Sequence, residues 1–236
     1  MGLGVVRYLV ISKFERLFVW LGGLAFVVSL ATCAWWFVVV LARTHPRSGS
    51  AVLFDALLLA VFSAHHSIFA RDQVKAWLTR VVPRRLLRSL YVWMASALLV
   101  LVCVLWRPVG GEVYVVTGWR AVAHAAVQLA GIWIIAQSVR AIDALELAGI
   151  REQSDTASLQ ITGPYRWVRH PLYFGWMLAV FGPAHMTGDR LAFAVITTVY
   201  LVVAIPWEER SLLRAFGEAY ERYKREVPRR MIPYVY

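Results

Sequence analysis

Two polar clusters in the last third of the chain carry the residue types that bind ligands or move protons. The first is GPYRWVRHPLYFG, residues 163–175. Pro164 and Pro171 break helices, and a residue before proline favours extended backbone, so residues 165–170 are predicted to be ordered but non-helical. Such backbone is tolerated at membrane depth where it is buried in protein or lines a cavity. The alternative is a basic collar at the start of a helix.

The second cluster begins at Glu208-Glu209, immediately after Pro206. Pro206 is expected to disrupt the preceding helix, and residues 211–233 have the pattern of an amphipathic helix that ends at Pro228. This segment is either a surface helix with ion pairs or a lid whose acidic start closes over the first cluster. If the apolar sequence between the clusters forms a helical hairpin, the two clusters meet on one side.

The composition identifies the elements that must position these clusters. Of the 236 residues 60% are hydrophobic, and eleven are tryptophan. This exceeds the apolar share of soluble proteins, so we expect an integral membrane protein with an all-α fold, a polytopic helical bundle. Six transmembrane helices are predicted, the last two joined by a tight turn at residues 187–190: Leu17 to Ala42, Ala51 to Ala70, Ser89 to Trp106, Ala121 to Val139, Leu172 to Met186 and Leu191 to Trp207.

The net charge of +11 comes mostly from Lys and Arg residues in connections that are predicted to lie on one side of the membrane. Twenty of the 25 Lys and Arg residues fall in the N-terminal tail, the second and fourth connections and the C-terminal tail. The positive-inside rule then predicts that both termini are cytoplasmic. Attraction to anionic membrane lipids accounts for the charge, so no nucleic-acid partner is expected.

The chain is predicted to be one domain, residues 1–236, with an N-terminal helical bundle (1–139) and a second half (140–236) that carries both polar clusters. Cys33 and Cys103 lie inside predicted spans without paired spacing, so free thiols are expected. The sequence makes no prediction of oligomeric state.

Ionisable residues within spans are costly and point to function by default. Asp55 and His66 lie three turns apart on one stripe of the second span, where they either line a polar cavity or sit near opposite headgroup regions. Adjacent His65 and His66 do not project to one face of a helix, so no metal site is predicted.

Arg140 and Asp143 follow the fourth span at i, i+3 spacing. They form either the solvated side of a helix that leaves the membrane or a polar wall of a substrate pocket, and we treat both as candidate substrate-binding residues.

The two clusters together resemble the signatures of the isoprenylcysteine carboxyl methyltransferase superfamily. The second cluster continues with Leu212, Phe216-Gly217, Tyr220, Tyr223, Val227-Pro228 and Pro233 at the spacing of that pattern. The N-terminal half is most similar to the bacterial methanethiol S-methyltransferases and NnrU-like proteins, through His66-Ser67, Ala70-Arg71, Trp77, Arg80, Val82-Pro83, Arg88-Ser89-Leu90-Tyr91, Trp106-Arg107-Pro108 and Leu147 to Gln153.

The resemblance implies S-adenosylmethionine (SAM) as methyl donor, S-adenosylhomocysteine as product, and a pocket in the C-terminal half without a Rossmann fold. It implies cofactor contacts from seven residues: Tyr165, Arg169, His170, Tyr173, Gly175, Glu208 and Glu209. SAM is a zwitterion with a sulfonium, and cationic, acidic and aromatic groups suit its parts. Arg169, His170 and His66 are the candidate catalytic residues, with His170 or His66 as the base if the acceptor is a thiol.

The acceptor implied by the resemblance is a small or lipophilic molecule that enters from the bilayer, with a thiol favoured. A prenyl-cysteine carboxylate and a phospholipid amine are alternatives within the same reaction class. A non-enzymatic NnrU-like membrane accessory is the alternative of another class. The resemblance also places the protein in a bacterial inner membrane.

Overall fold

The computed structural model describes residues 12–69, 71–141, 148–150 and 159–236. Eight α-helices in these ranges are α1 (Lys13–Trp35), α2 (Gly49–Phe69), α3 (Asp72–Leu78), α4 (Leu87–Leu105), α5 (Gly118–Ala141), α6 (Pro171–Phe181), α7 (Gly188–Phe216) and α8 (Glu218–Glu226). A π-helical turn at Trp36–Val40 continues α1, and the 3-10 turns Arg84–Leu86 and Gly163–Arg166 precede α4 and α6.

Five of the described helices (α1, α2, α4, α5 and α7) are long and apolar enough to cross a membrane. This confirms the predicted all-α membrane bundle, and the protein is an integral membrane protein. A small antiparallel sheet, which the sequence did not predict, joins β1 (Glu112–Val115) to β2 (His185–Thr187).

The fifth predicted span is shorter than the sequence indicated. Helix α6 has 11 residues, about 16 Å at 1.5 Å per residue, against the ~30 Å of a bilayer core. It ends before Gly182-Pro183, and residues 185–187 are β2 instead of helix. The predicted continuous span Leu172 to Met186 is therefore wrong, because a proline cannot supply the N–H that continued helix needs.

Side chains satisfy the carbonyls that this early end leaves unpaired. Gln128 donates to the carbonyl of Ala179 (3.1 Å), and His124 bonds that of Gly182 (3.1 Å). Tyr114 donates to the carbonyl of Pro183 and Arg190 to that of His185. An unsatisfied carbonyl at membrane depth costs several kcal/mol, so these side chains allow the helix to stop inside the bundle.

The predicted turn at residues 187–190 is also wrong, because α7 begins at Gly188 with Thr187 as its N-cap. Asp189 Oδ1 accepts from Trp106 Nε1 (2.8 Å) and from the backbone N–H of Val109 (2.9 Å). Its Oδ2 accepts from Gly110 N–H (3.0 Å). Both Asp189 and Arg190 are buried.

Arg190 donates to backbone carbonyls of three residues: Phe37, Val38 and His185. Asp55 lies at the same end of the bundle, where its Oδ1 accepts from Arg107 N–H (2.9 Å). Asp55 therefore contacts the connection after α4, and it lies toward the opposite end of α2 from His66. We call this end, formed by Asp55, residues 106–111, Asp189 and Arg190, the closed end.

Helix α7 runs through Pro206 to Phe216. The prediction that Pro206 disrupts the helix is wrong, and Glu208 and Glu209 lie within it. The chain turns at Gly217, whose φ of 52° favours glycine, and α8 follows. The predicted amphipathic helix from residue 211 is thus divided between the end of α7 and α8.

The aromatic core lies between the two ends of the bundle. Phe193 of α7 contacts the rings of Trp36 (centroids 5.5 Å apart), Trp106 (6.0 Å) and Trp176 (5.9 Å), mostly edge to face. Such pairs add to the burial of apolar surface.

Helices α5 and α6 cross at Gly131 and Gly175. A Cβ added to Gly175 would lie 2.8 Å from the carbonyl oxygen of Gly131, and one added to Gly131 would lie 2.6 Å from that of Gly175. Small residues permit this close backbone approach between membrane helices. The crossing fixes the start of α6, where the first polar cluster ends.

Candidate active site

The segment before α6 is ordered by backbone bonds to the C-terminal tail. Arg169 N–H donates to the carbonyl of Arg229 (3.0 Å), and His170 N–H donates to that of Arg230 (2.7 Å). The Tyr223 hydroxyl of α8 donates to the carbonyl of Tyr165 (2.7 Å). The segment contains one 3-10 turn, Gly163–Arg166, and is otherwise non-helical, close to the prediction from its prolines.

Arg169 and Glu209 form a buried ion pair. Arg169 Nε and Nη2 lie 2.8 and 2.7 Å from Glu209 Oε1, and Arg169 Nη1 donates to the carbonyl of Val227 (2.7 Å). Both residues are less than 9% exposed. Arg230 Nε lies 3.6 Å from the second oxygen of Glu209. The pair joins the first cluster, α7 and the C-terminal tail, as the predicted meeting of the two clusters requires.

Glu208 keeps part of its carboxylate accessible. Its Oε2 accepts from the Tyr173 hydroxyl (2.6 Å) and lies 3.4 Å from His170 Nδ1. The side chain is 44% exposed, against 10% for Glu209. Of the two adjacent carboxylates, Glu209 is thus occupied by protein cations, while Glu208 retains capacity for a ligand. We call the assembly of residues 163–170, Glu208 and Glu209 the site end.

His170 lies between both carboxylates. Its Nε2 is 3.4 Å from Glu209 Oε1, and its ring stacks on Tyr173 with centroids 5.3 Å apart. Burial lowers the pKa of His170, but hydrogen bonds to Glu208 and Glu209 and their charges outweigh burial and raise this pKa above its ordinary value. Each ring nitrogen faces a carboxylate oxygen, an arrangement that suits the protonated ring, in which both nitrogens donate.

Tyr165 lies near the carboxylate of Glu208. Burial, and secondarily the charge of Glu208, raise the pKa of Tyr165 to about 12. The hydroxyl is therefore protonated at neutral pH, and the ring offers an aromatic face close to Glu208.

A second polar group lies between α2 and α4. The rings of His65 and His66 are 5.5 Å apart, and both contact Tyr91, with centroids at 5.1 and 5.5 Å. Although the two histidines are adjacent on one helix, their rings converge on a third residue. His66 Nδ1 lies 3.0 Å from the carbonyl of Phe62, which can only accept, so Nδ1 carries the proton and Nε2 carries the lone pair of the neutral ring.

The structure brings together six of the predicted cofactor residues: Tyr165, Arg169, His170, Tyr173, Glu208 and Glu209. Gly175 instead contacts α5, so helix packing accounts for it, and its predicted contact with a cofactor remains a prediction. Arg140 is exposed at the end of α5. Asp143 lies outside the described residues.

Two residues near this site were missed. Arg230 lies in a basic run that the sequence explained by topology alone, and nothing in the sequence separates it from its neighbours. Tyr200 lies within electrostatic range of Tyr173 and Glu208. The sequence does contain a signal for Tyr200, because this residue places a polar hydroxyl in the middle of an apolar span.

Comparison with known proteins gives a consistent result. A family profile described as phospholipid methyltransferase matches residues 119–219, which include both clusters. The methanethiol S-methyltransferase of Crocosphaera subtropica is 37% identical over 208 residues, covering 82% of this chain and 79% of the relative. The methanethiol S-methyltransferase of Mycobacterium tuberculosis is 36% identical over 206 residues, covering 80% and 83%.

A more distant relative is the human protein-S-isoprenylcysteine O-methyltransferase, 36% identical over 80 residues, or 33% of this chain and 28% of that protein. No solved structure matches the chain at comparable significance.

Proposed function

We infer the reaction from one premise: the chain belongs to the family of membrane methyltransferases that contains the methanethiol S-methyltransferases. The chain is an enzyme, a methyltransferase, and the accessory-protein alternative is set aside. We propose that it transfers a methyl group from SAM to a small thiol such as methanethiol and releases a methyl thioether and S-adenosylhomocysteine.

The observation that carries the cofactor proposal is the half-exposed carboxylate of Glu208, held by Tyr173 and His170 beside a buried ion pair. The residues present fit SAM. Glu208 suits its ammonium or ribose hydroxyls, and the rings of Tyr165 and Tyr173 suit its sulfonium. Arg230, whose side chain is 40% exposed beside Glu209, suits its carboxylate.

When bound, SAM supplies a methyl group on a positively charged sulfur. The main tasks of the protein are then to align the acceptor and to accept its proton. His170 is a poor proton acceptor, since its two ring nitrogens face the carboxylates of Glu208 and Glu209. His66 is the better candidate, because its Nδ1–H bond to Phe62 leaves Nε2 as an acceptor. Arg169 acts by holding Glu209 and the cluster backbone in place.

We further propose that residues 140–236 form the catalytic half within one domain, with Arg140 and Asp143 near the acceptor path. The enzyme would lie in a bacterial inner membrane with both termini cytoplasmic, as the charge distribution favours. The acceptor would then arrive through the bilayer, and SAM from the cytoplasm.

The test is SAM binding and methyl transfer by the full chain in lipid nanodiscs. Isothermal titration should show SAM binding to the wild type, and gas chromatography should show dimethyl sulfide formed from methanethiol. Transfer to a prenyl-cysteine or to a phospholipid amine, with none to methanethiol, would change the acceptor class. A folded wild type that does not bind SAM would overturn the proposal.

A further inference from the structure

His65 has an unusual environment for an imidazole. Its side chain belongs to a residue only 7% exposed, and neither ring nitrogen has a hydrogen-bond partner among the described residues. A buried polar group without a partner costs free energy, and native proteins satisfy nearly all of them with protein, water or a ligand. The ring therefore requires a small polar partner that is not part of the described chain.

The walls around His65 are aromatic. Its ring stacks on Tyr91 (centroids 5.1 Å apart, planes at 17°) and contacts Phe69 at 4.7 Å and His66 at 5.5 Å. The guanidinium of Arg88 lies over the ring of Tyr91, 5.0 Å from its centroid. The partner of His65 must therefore be small, and it must tolerate apolar and aromatic contact.

The position of His65 along the bundle follows from contacts at two levels. Asp55 near the start of α2 and Asp189 at the start of α7 both bond the residues after α4, so α2 and α7 run parallel. Farther along, the Tyr200 hydroxyl of α7 lies 3.5 Å from the carbonyl of Ser63 of α2.

These two levels place His65 near the site end. His66 is three residues beyond Ser63, and Glu208 is eight beyond Tyr200, so at 1.5 Å per residue the histidines and Glu208 differ by roughly 8 Å along the bundle. Tyr200, within electrostatic range of Tyr91 on one side and of Tyr173 and Glu208 on the other, spans the gap between the two groups.

Resting on the function proposed above, we propose that the acceptor thiol binds among α2, α4 and α7 with its sulfur hydrogen-bonded to His65. The sulfur of a thiol is an acceptor that suits the N–H of a neutral His65 ring, while its weak S–H donor can face the lone pair of His66 Nε2. The buried aromatic walls select a small neutral thiol over a charged one, since burying an unpaired charge is far more costly.

The two histidines have different roles in the proposed methyl transfer. The thiol proton moves to His66 Nε2 and then to solvent. The sulfur lone pair forms the new S–CH3 bond as the bond between that methyl and the donor sulfonium breaks, and its electron pair stays on the donor sulfur. His65 N–H donates to the acceptor sulfur as negative charge develops there.

The experiment measures thiol binding without turnover. Methanethiol is titrated into the full chain in nanodiscs saturated with S-adenosylhomocysteine, which carries no methyl group to transfer. His65→Phe keeps the stacking on Tyr91 and removes both nitrogens, so thiol binding should weaken about tenfold, the loss expected for one hydrogen bond. His65→Gln, which restores a donor and an acceptor, should recover part of that loss. SAM affinity should be unchanged in both variants.

His124→Phe is the matched control. It also removes an intramembrane histidine bonded to nothing at the site end, since its partner is the carbonyl of Gly182. Thiol and SAM binding by this variant should equal those of the wild type. Unchanged thiol affinity in His65→Phe, or an equal loss of thiol and SAM affinity, overturns the inference while leaving the methyltransferase function standing. A wild type that methylates no thiol overturns both.

Discussion

At the closed end, Asp189 and Arg190 are bonded to backbone groups and to one indole, whereas at the site end Arg169 and Glu209 are bonded to each other. Asp189 accepts three hydrogen bonds, and Arg190 donates to three carbonyls, so hydrogen bonds within the protein occupy both side chains. Beside the second pair, one oxygen of Glu208 bonds Tyr173 and lies near His170, and the side chain remains 44% exposed among the residues that the structure describes. Buried charge alone therefore does not mark a site in this bundle. An accessible carboxylate beside the buried pair, that of Glu208, is what distinguishes the site end.

The largest effect is expected from removing the proposed proton acceptor His66, which lies near the site end. His66→Phe should reduce kcat/KM for methanethiol by about 10² to 10⁴-fold. Methaneselenol has nearly the same shape and is already ionised at neutral pH, so its methylation should fall much less. Product formation from both acceptors measures this, with SAM affinity as the folding control. Equal losses with the two acceptors would remove His66 from the proton path.

The next effect concerns the ion pair at the site end. Arg169→Met or Glu209→Gln leaves a buried group without its partner, and each should lower the free energy of unfolding by about 3–5 kcal/mol. The double variant should lose less than the sum of the two single variants, because it leaves no uncompensated charge. Denaturant unfolding of all four proteins measures the cycle, and additive losses would mean that the pair does not couple the two clusters.

Glu208→Gln should act on the ligand more than on the fold. The loss of one charged hydrogen-bond acceptor should weaken SAM binding about 10- to 100-fold, with little change in thermal unfolding, because the carboxylate is half exposed. Glu218→Gln, on the exposed surface of α8, is the control and should bind as the wild type does. A Glu208 variant with unchanged affinity would place the cofactor elsewhere.

Asp189→Asn tests the closed end. The amide nitrogen of Asn would face a backbone N–H in place of a carboxylate oxygen, so the free energy of unfolding should fall by about 1–3 kcal/mol. The SAM affinity of the folded protein should not change. A loss of affinity equal to that of Glu208→Gln would show that the two ends do not differ in role.

The smallest effect is on pH dependence. Because the pKa of His170 is raised in the folded protein, its contribution to stability is complete below the ordinary histidine pKa of about 6.5 and is lost as pH rises through the folded value. The wild type should therefore lose stability relative to His170→Gln as pH rises above about 6.5. Parallel stability curves for the two proteins would mean that His170 is not charged in the fold.

Much of the site end could be predicted from the sequence, because its signals are local. The prolines around residues 165–170 indicated a non-helical segment, and the adjacent carboxylates indicated the partner cluster. The sequence could not predict that Glu209 pairs with protein cations while Glu208 stays accessible. That difference depends on the position of Arg230 and on which side of α7 each residue faces.

The closed end was predicted poorly, for a physical reason. Asp189 and Arg190 have the composition of a turn, and three-residue strands such as β2 have no periodicity of their own. Apart from the His185 carbonyl, their partners lie 79 to 153 residues away in the chain. Pro206 was misread for a similar cause, since packing and neighbouring helices override a local helix breaker.

The early end of α6 has a consequence for the cell that contains the protein. Its freed carbonyls are bonded by Gln128, His124, Tyr114 and Arg190, and side chains take the place that water would otherwise fill. Between this region and the site end lies the aromatic core around Phe193. A polar catalytic centre is thereby kept apart from the opposite face of the bilayer by an apolar barrier that resists ions. The bundle can therefore hold charged residues within a membrane without a continuous polar path between its two ends.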